Sequence, residues 1–245
     1  MSLRVTLATA RRVLEQLKGD HRTVALLMVV PCVLMALLYW VFDGQPQIFD
    51  GVGLMLLGVF PFVTMFLVTS VAMLRERTSG TLERLLTTPL AKLDLLLGYA
   101  LAFGVAALIQ ATLASALALG PLGLDPAGSV ALVLLFAVAN AVLGMALGLL
   151  VSAFAQSEFQ AVQFLPAFVL PQLLLCGLIA PRDEMAGALE AISAVLPMTY
   201  AVDGMSELAH TSELSGDLLV DLLVVAGSAA AALALGAGTL RRRTA

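Results

Sequence analysis

The side chains that could meet a polar ligand are sparse and set in oily surroundings. Thr64, Gln110, Asn140, Gln163 and Gln172 interrupt runs that are otherwise apolar. Each offers an amide or a hydroxyl and no charge, which suits hydrogen bonding and not proton transfer. Two uses follow. They could line a passage and meet the polar parts of a passing molecule, or they could bond helix to helix, worth about 0.6–2 kcal/mol each. Catalytic constellations are missing: the chain has no H-E-x-x-H, no G-x-S-x-G and no G-x-x-x-x-G-K-[ST]. Zinc hydrolysis, acyl transfer and ATP hydrolysis therefore lack their usual residues. Its two histidines, His21 and His210, fall on opposite sides of a six-span arrangement. No catalytic residue and no metal ligand is expected.

A second kind of chemistry is recognition. Residues 75–92 read RERTSGTLERLLTTPLAK, a charged stretch between the uncharged run 51–74 and an apolar run opening at Leu93. In a helix starting near Gly80 and Thr81, Leu82, Leu85, Leu86 and Pro89 fall at i, i+3, i+4 and i+7, one apolar face. Thr78 or Ser79 can cap its amino end, Glu83 suits the positive end of the helix dipole, and Pro89 closes it. Such a two-faced helix fits a groove on another protein. It fits the surface of lipid headgroups equally well, and the pattern alone does not choose.

The elements that must carry these residues are set by composition. Of 245 residues, 60% are hydrophobic and 12% charged, half the charged share of an ordinary soluble domain, about a quarter. Several apolar runs reach the roughly 20 residues that cross about 30 Å of hydrocarbon. Six spans follow, near 24–42, 51–74, 93–119, 130–153, 162–180 and 218–240. They are too long and too uniformly apolar for barrel strands. The fold class expected is an all-α integral membrane protein of one domain, residues 1–245. Twelve of the 13 Lys and Arg residues then fall on one side: Arg4 to Arg22, Arg75 to Lys92, and Arg241 to Arg243. Arg182 stands alone on the other. Positive segments stay cytoplasmic, so both termini and the 75–92 stretch are expected inside a plasma membrane, with acidic loops outside. The apolar run after the basic leader lacks a small-residue cleavage site and reads as a retained span.

Three further segments carry expectations. Residues 1–22 include Leu3, Leu7, Ala10, Leu14 and Leu17 on one helical stripe flanked by Arg4, Arg11 and Lys18, a helix suited to the inner headgroup layer more than to a disordered leader. Residues 181–217 hold two apolar stretches too short to span. They are expected as short helices dipping back from the outer side, against the alternative of a hairpin lying on top of the bundle. Asn140, Gly144, Gly148 and Ser152 recur every four residues, a packing seam. Pro166 and Pro171 should kink span five, with Gln163 and Gln172 near enough to satisfy freed backbone groups. Asp217 and Asp221, at the head of span six, are expected at the outer surface. Without a carboxylate in mid-span, an ion-coupled carrier is disfavoured, and a neutral passage suits a hydrophobic or amphipathic solute.

The run E-R-T-S-G-T-L-E-R-L-L-T-T-P, Glu76 to Pro89, resembles the cytoplasmic signature of ABC-2 type transporter permeases. Residues 176–205 are similar to the outer region of that family's daunorubicin-resistance branch of drug exporters: a G-x-x-x-P turn, here Gly177 and Pro181, then P-x-T-Y, here Pro197, Thr199 and Tyr200. Two positions depart from it. Tyr99 stands where many members carry a basic residue after L-L-G, and Met205 or Ser206 where an arginine often follows T-Y. The resemblance implies a transport subunit of an ATP-driven exporter in a bacterial inner membrane, active in multidrug efflux. It implies that Glu76, Gly80, Thr81, Leu82, Glu83, Leu85, Leu86 and Pro89 couple to a separate ATP-binding subunit present in two copies. ATP and Mg²⁺ would sit on that partner and no cofactor on this chain. A second permease subunit, identical or not, would complete the assembly. The alternative function is an ion-coupled secondary transporter.

Overall fold

A computed structural model describes residues 3–79, 92–212 and 215–239. The coupling residues Gly80 to Pro89 and the arginines at 241–243 lie outside these. An amphipathic helix α1 (Leu3–Gly19) leads into α2 (His21–Val41), then α3 (Pro46–Thr78), α4 (Lys92–Leu119) and α5 (Val130–Val151). Span five is broken into α6 (Glu158–Phe164), a π-helical turn (Leu165–Val169) and α7 (Leu170–Leu175). A 3₁₀ turn (Arg182–Glu184), α8 (Gly187–Ser193), α9 (Pro197–His210) and α10 (Gly216–Thr239) complete the chain. Among the described residues there is no strand, and six helical segments are long and apolar enough to cross a membrane. The chain is a multi-pass membrane protein. Leucines and valines on α2, Phe159 on α6 and Phe168 in the π-helical turn stay exposed, a surface matched to lipid tails.

Lipid tails are as apolar as leucine, so helices in lipid associate by close fit. The centre of the fold is the α3–α5 pair, its most extensive helix contact. A Cβ on Gly144 would run into the Phe62 carbonyl, and one on Gly148 into the Thr69 hydroxyl and the Phe66 carbonyl. Thr69 Oγ1 lies 2.7 Å from its own Met65 carbonyl and 3.2 Å from the Met145 carbonyl across the seam. Asn140 closes the row opposite Gly58. The four-residue stripe read from the sequence is this seam.

The other elements wrap this pair. The α1 helix lies on α4, where Thr9 seats against Gly98. Thr9, Ala10 and Val13 are buried there, while Leu3 and Leu7 stay exposed. The expected leucine stripe is therefore shared between a protein face and the surroundings. Span five ends at Leu175, short of 180, because Gly177 turns the chain at φ +89°, a conformation that favours glycine. The Gln172 side chain donates to the Phe168 carbonyl at 3.0 Å beside Pro171. Helix α9 packs among α3, α5 and α10. Its Gly204 abuts the Phe136 ring, and Met205 faces Gly58 next to Asn140. At 1.5 Å per residue, Phe136 and Asn140 lie about 9 and 15 Å along α5 from Val130. One expectation fails: Asp221 is 8% exposed. It shares the buried stripe of α10 with Leu218, Val225, Ala229 and Ala232, a 3–4 spacing that turns it inward.

The seam can be tested by one methyl group. Gly148→Ala should destabilise the protein by about 1–3 kcal/mol, since overpacking must displace the α3 backbone. Gly227→Ala on α10, with nothing within 4 Å, should leave the melting temperature in detergent unchanged or slightly higher.

Candidate functional site

The three described residues before Thr78 and Ser79 are Arg75, Glu76 and Arg77. Consecutive helical residues point about 100° apart, so this triplet fans out to four partners. Arg75 Nε and Nη2 donate to both Glu158 oxygens at 2.7 and 3.0 Å, tying α3 to the first residue of α6. Glu158 sits in the first turn of a helix capped by Ser157, where an acid is favoured by the helix dipole. Arg75 also lies 3.9 Å from Asp20. Glu76 Oε2 lies 3.5 Å from Arg12 on α1. Arg77 Nη2 reaches Thr239 at the end of α10, 3.4 Å away. Helix α1, the start of α2, the end of α3, the start of α6 and the end of α10 thus meet in one polar collar.

Exposure ranks these contacts. Arg75 and Glu158 side chains are each 55% exposed, so the pair contributes at most about 1 kcal/mol in solvent. Arg12 and Glu76 are more sheltered, at 31% and 14%. The Arg12 guanidinium donates to the Tyr99 hydroxyl and lies 5.7 Å from the centre of its ring, a cation–π contact. Tyr99 is one of the two departures from the resemblance described above, and here it meets a cation supplied by α1. At the foot of α2, Asp20 accepts the Thr23 amide at 3.1 Å and its hydroxyl at 2.6 Å. Those bonds, the hydroxyl's first, hold the Asp20 carboxyl below the usual carboxylate range.

Between these helices opens a cavity of about 580 Å³. Its apolar wall comes from Leu26, Leu67, Val68, Val71, Phe103 and Val162, and its polar end from Asp20, Arg75, Glu76 and Glu158.

The five polar candidates within the spans are placed as follows. Gln110 Nε2 donates to the Thr64 hydroxyl, and that hydroxyl lies 2.9 Å from the Phe60 carbonyl. Asn140 is buried in the α3–α5 seam, Gln172 is buried on α7, and Gln163 is exposed on α6. The amide oxygens of Gln110, Asn140 and Gln172 are buried without a hydrogen-bond partner. Only Thr64 and Gln110 are brought together by a hydrogen bond among the described residues.

At the opposite end, residues between α7 and α9 form a clasp. Ser193 donates to the Leu175 carbonyl at 2.8 Å, Thr199 to the Ser193 carbonyl at 2.8 Å, and Tyr200 to the Ala194 carbonyl at 2.7 Å. The Tyr200 hydroxyl thereby satisfies the Ala194 carbonyl where α8 ends, and Thr199 adds a second bond to the Ser193 carbonyl, which already accepts the Leu196 amide at 3.0 Å. Pro181 precedes the 3₁₀ turn and Pro197 opens α9, positions that need no amide hydrogen. Arg182 and Asp203 pair at 2.6 Å. Burial pushes the Asp203 carboxyl up, opposed by Arg182.

The family model for the ABC-2 type transporter matches residues 4–209, from α1 through α9. The chain belongs to the ABC-2 type transporter family. It is 29% identical over 185 residues to a probable multidrug ABC transporter permease, YbhR, of Escherichia coli K12, covering 73% of this chain and 50% of the relative. To the probable multidrug permease YbhS of the same strain it is 29% identical over 166 residues, 66% of this chain and 44% of the relative. To ABC transporter G family member 20 of Dictyostelium discoideum it is 28% identical over 141 residues, 58% of this chain and 19% of the relative. The ABC-2 chain spans about half the length of the bacterial relatives it matches. The collar was missed by sequence reading, since Arg12 and Tyr99 are 87 positions apart and Arg75 and Glu158 83 apart. Its one visible signal was a set of charges placed at span ends.

Coupling inside the sheltered part of the collar is measurable. A double-mutant cycle of Arg12→Met and Glu76→Gln, read by unfolding in detergent, should give an interaction energy of about 0.5–3 kcal/mol. Simple additivity would mean that the 3.5 Å approach is incidental.

Proposed function

We propose that this ABC-2 chain is the membrane-spanning permease subunit of an ATP-driven exporter that moves a hydrophobic or amphipathic compound out of a bacterial cell. The observation that carries the reading is the collar. In a chain of this family, the charged end of α3 is tied to α1, α2, α6 and α10 directly before residues 80–91. A push on that segment is thereby delivered to five helices at once. Leu82, Leu85, Leu86 and Pro89 form the docking face for a separate ATPase, Gly80 and Thr81 open the helix, and Glu76 and Glu83 meet neighbouring cations. Two such ATPase subunits bind ATP and Mg²⁺, and their closure rocks spans two and three.

The sidedness of arginine supports a cytoplasmic position for the collar and both termini. The contact of α9 with Phe136 and with the neighbourhood of Asn140 supports re-entry of the 181–217 segment into the outer leaflet, with Gly177, Pro181, Pro197, Thr199 and Tyr200 holding it. Exposure of Gln163 within an apolar span supports a second permease subunit covering α6. The cargo then passes between the two, near Gln163, while Thr64, Gln110, Asn140 and Gln172, the last three buried within the subunit, would meet it only when the helices around them part. Kinship with permeases described as multidrug transporters supports a drug-like or lipid-like cargo, and the P-x-T-Y segment supports the daunorubicin-resistance branch.

One observation favours the competing ion-coupled carrier: the buried carboxylate of Asp221. Energy source separates the two. Efflux should stop when ATP hydrolysis is blocked and survive collapse of the proton gradient, whereas the opposite pattern would establish the carrier. For coupling, Leu82→Glu with Leu86→Glu should abolish copurification with the ATPase and leave membrane insertion intact. If copurification and transport both persist, the docking face is elsewhere.

A further inference from the structure

We propose that the cavity among α1, α2, α3, α4 and α6 is a binding site, within a single permease subunit, for a hydrophobic monocation taken from the inner leaflet.

The cavity has the dimensions and the two-part lining that such a ligand needs. Its volume of about 580 Å³ lies within the range of roughly 300–1,000 Å³ of small-molecule sites. Along α3 the lining runs from Leu67 to Arg75, about 12 Å of helix at 1.5 Å per residue. It therefore extends from the polar collar into the apolar layer. Leu67, Val68 and Val71 from α3 face Leu26 of α2, Phe103 of α4 and Val162 of α6. Leu26 of α2 and Phe159 and Val162 of α6 are exposed lining residues, so on that side the cavity is reachable from the lipid around the two spans. An amphiphile can then enter without crossing water.

The sign of the ligand follows from the collar. Asp20, Glu76 and Glu158 line the polar end, with Arg75 as the only guanidinium among the described lining residues. Arg75 is committed to Glu158 through two hydrogen bonds. Glu76 Oε2 is buried, makes no hydrogen bond and has Arg12 3.5 Å away. Asp20 already has its amide and hydroxyl donors from Thr23 and remains ionised. With Arg12 beside Glu76, three acids stand against two bases among the described residues, which leaves one negative charge beside apolar walls that strengthen its field. A cation is drawn in and an anion of the same shape is repelled. The position lies inside one subunit and is distinct from the route between two subunits, so it would load cargo ahead of that route.

As a loading site the cavity rests on the exporter reading, but its occupancy does not need an ATPase and is tested without one. The full chain is placed in nanodiscs of zwitterionic phosphatidylcholine and titrated with tetraphenylphosphonium and with tetraphenylborate, ions of matched shape and opposite charge. Saturable binding of about one cation per chain is expected, at least about tenfold tighter than any saturable binding of the anion. Asp20→Asn with Glu158→Gln should weaken the cation about fivefold or more without weakening the anion. Asparagine caps a helix as well as aspartate does, so α2 keeps its start. Val71→Trp, which fills the cavity, should remove saturable binding. Leu26→Trp at the rim provides a second block if the first variant folds poorly. Equal binding of the two ions overturns the proposal. So does cation binding that survives a tryptophan variant of unchanged melting temperature. Loss of ATP dependence with cation binding intact would sink the exporter reading alone, and the reverse would sink only the cavity.

Discussion

The fold depends on how closely two backbones can approach without a hydrophobic force to bring them together. In lipid the surroundings are as apolar as the side chains, and attraction between helices comes from fit and from a few shared polar contacts. The α3–α5 seam meets that constraint by removing side chains: Gly144 and Gly148 admit the carbonyls of Phe62 and Phe66, and Thr69 reaches across to Met145. Everything else is placed by reference to this pair. Helices α4 and α10 pack on α5, α9 wedges beside both members, and α1 and α2 close the remaining side through α4 and α3.

Excluding charge from the interior has a structural return at the ends. Among the described residues, ion pairs linking different helices occur where the helices leave the apolar layer: Arg12 with Glu76, Arg75 with Asp20 and Glu158, and Arg182 with Asp203. These pairs are partly wet and individually weak. Their value is directional, because each one joins elements far apart in the chain. Asp221 departs from the pattern. It is buried on the face of α10 that packs inward, and the other acids around it, Asp203, Glu207 and Asp217, make its environment negative.

Legibility in the sequence followed the range of the interaction. The six spans are local facts of composition, and the structure reproduces them to within a few residues, with the exception of the early stop at Leu175. The Asn140–Ser152 stripe is likewise local, since small residues every fourth position define a face before any partner is known. The leucine stripe of α1 was legible as a stripe but not as a divided one, because its second partner, Gly98, is contributed by α4. The inward turn of Asp221 could have been read from its spacing to Leu218 and Val225. The collar could not: Arg12, Tyr99 and Glu76 are brought together only by three helices folding against one another. The outer motif was legible as a pattern without a reason, and its reason is the pair of hydroxyls closing the end of α8.

Three neighbouring residues at the foot of α3 grip three different parts of the molecule. Turning α3 about its own axis by one residue's angle, about 100°, would break all of those grips together. Twist at the foot of α3 is therefore not a private motion of one helix: α1, α6 and α10 must share it or it does not occur.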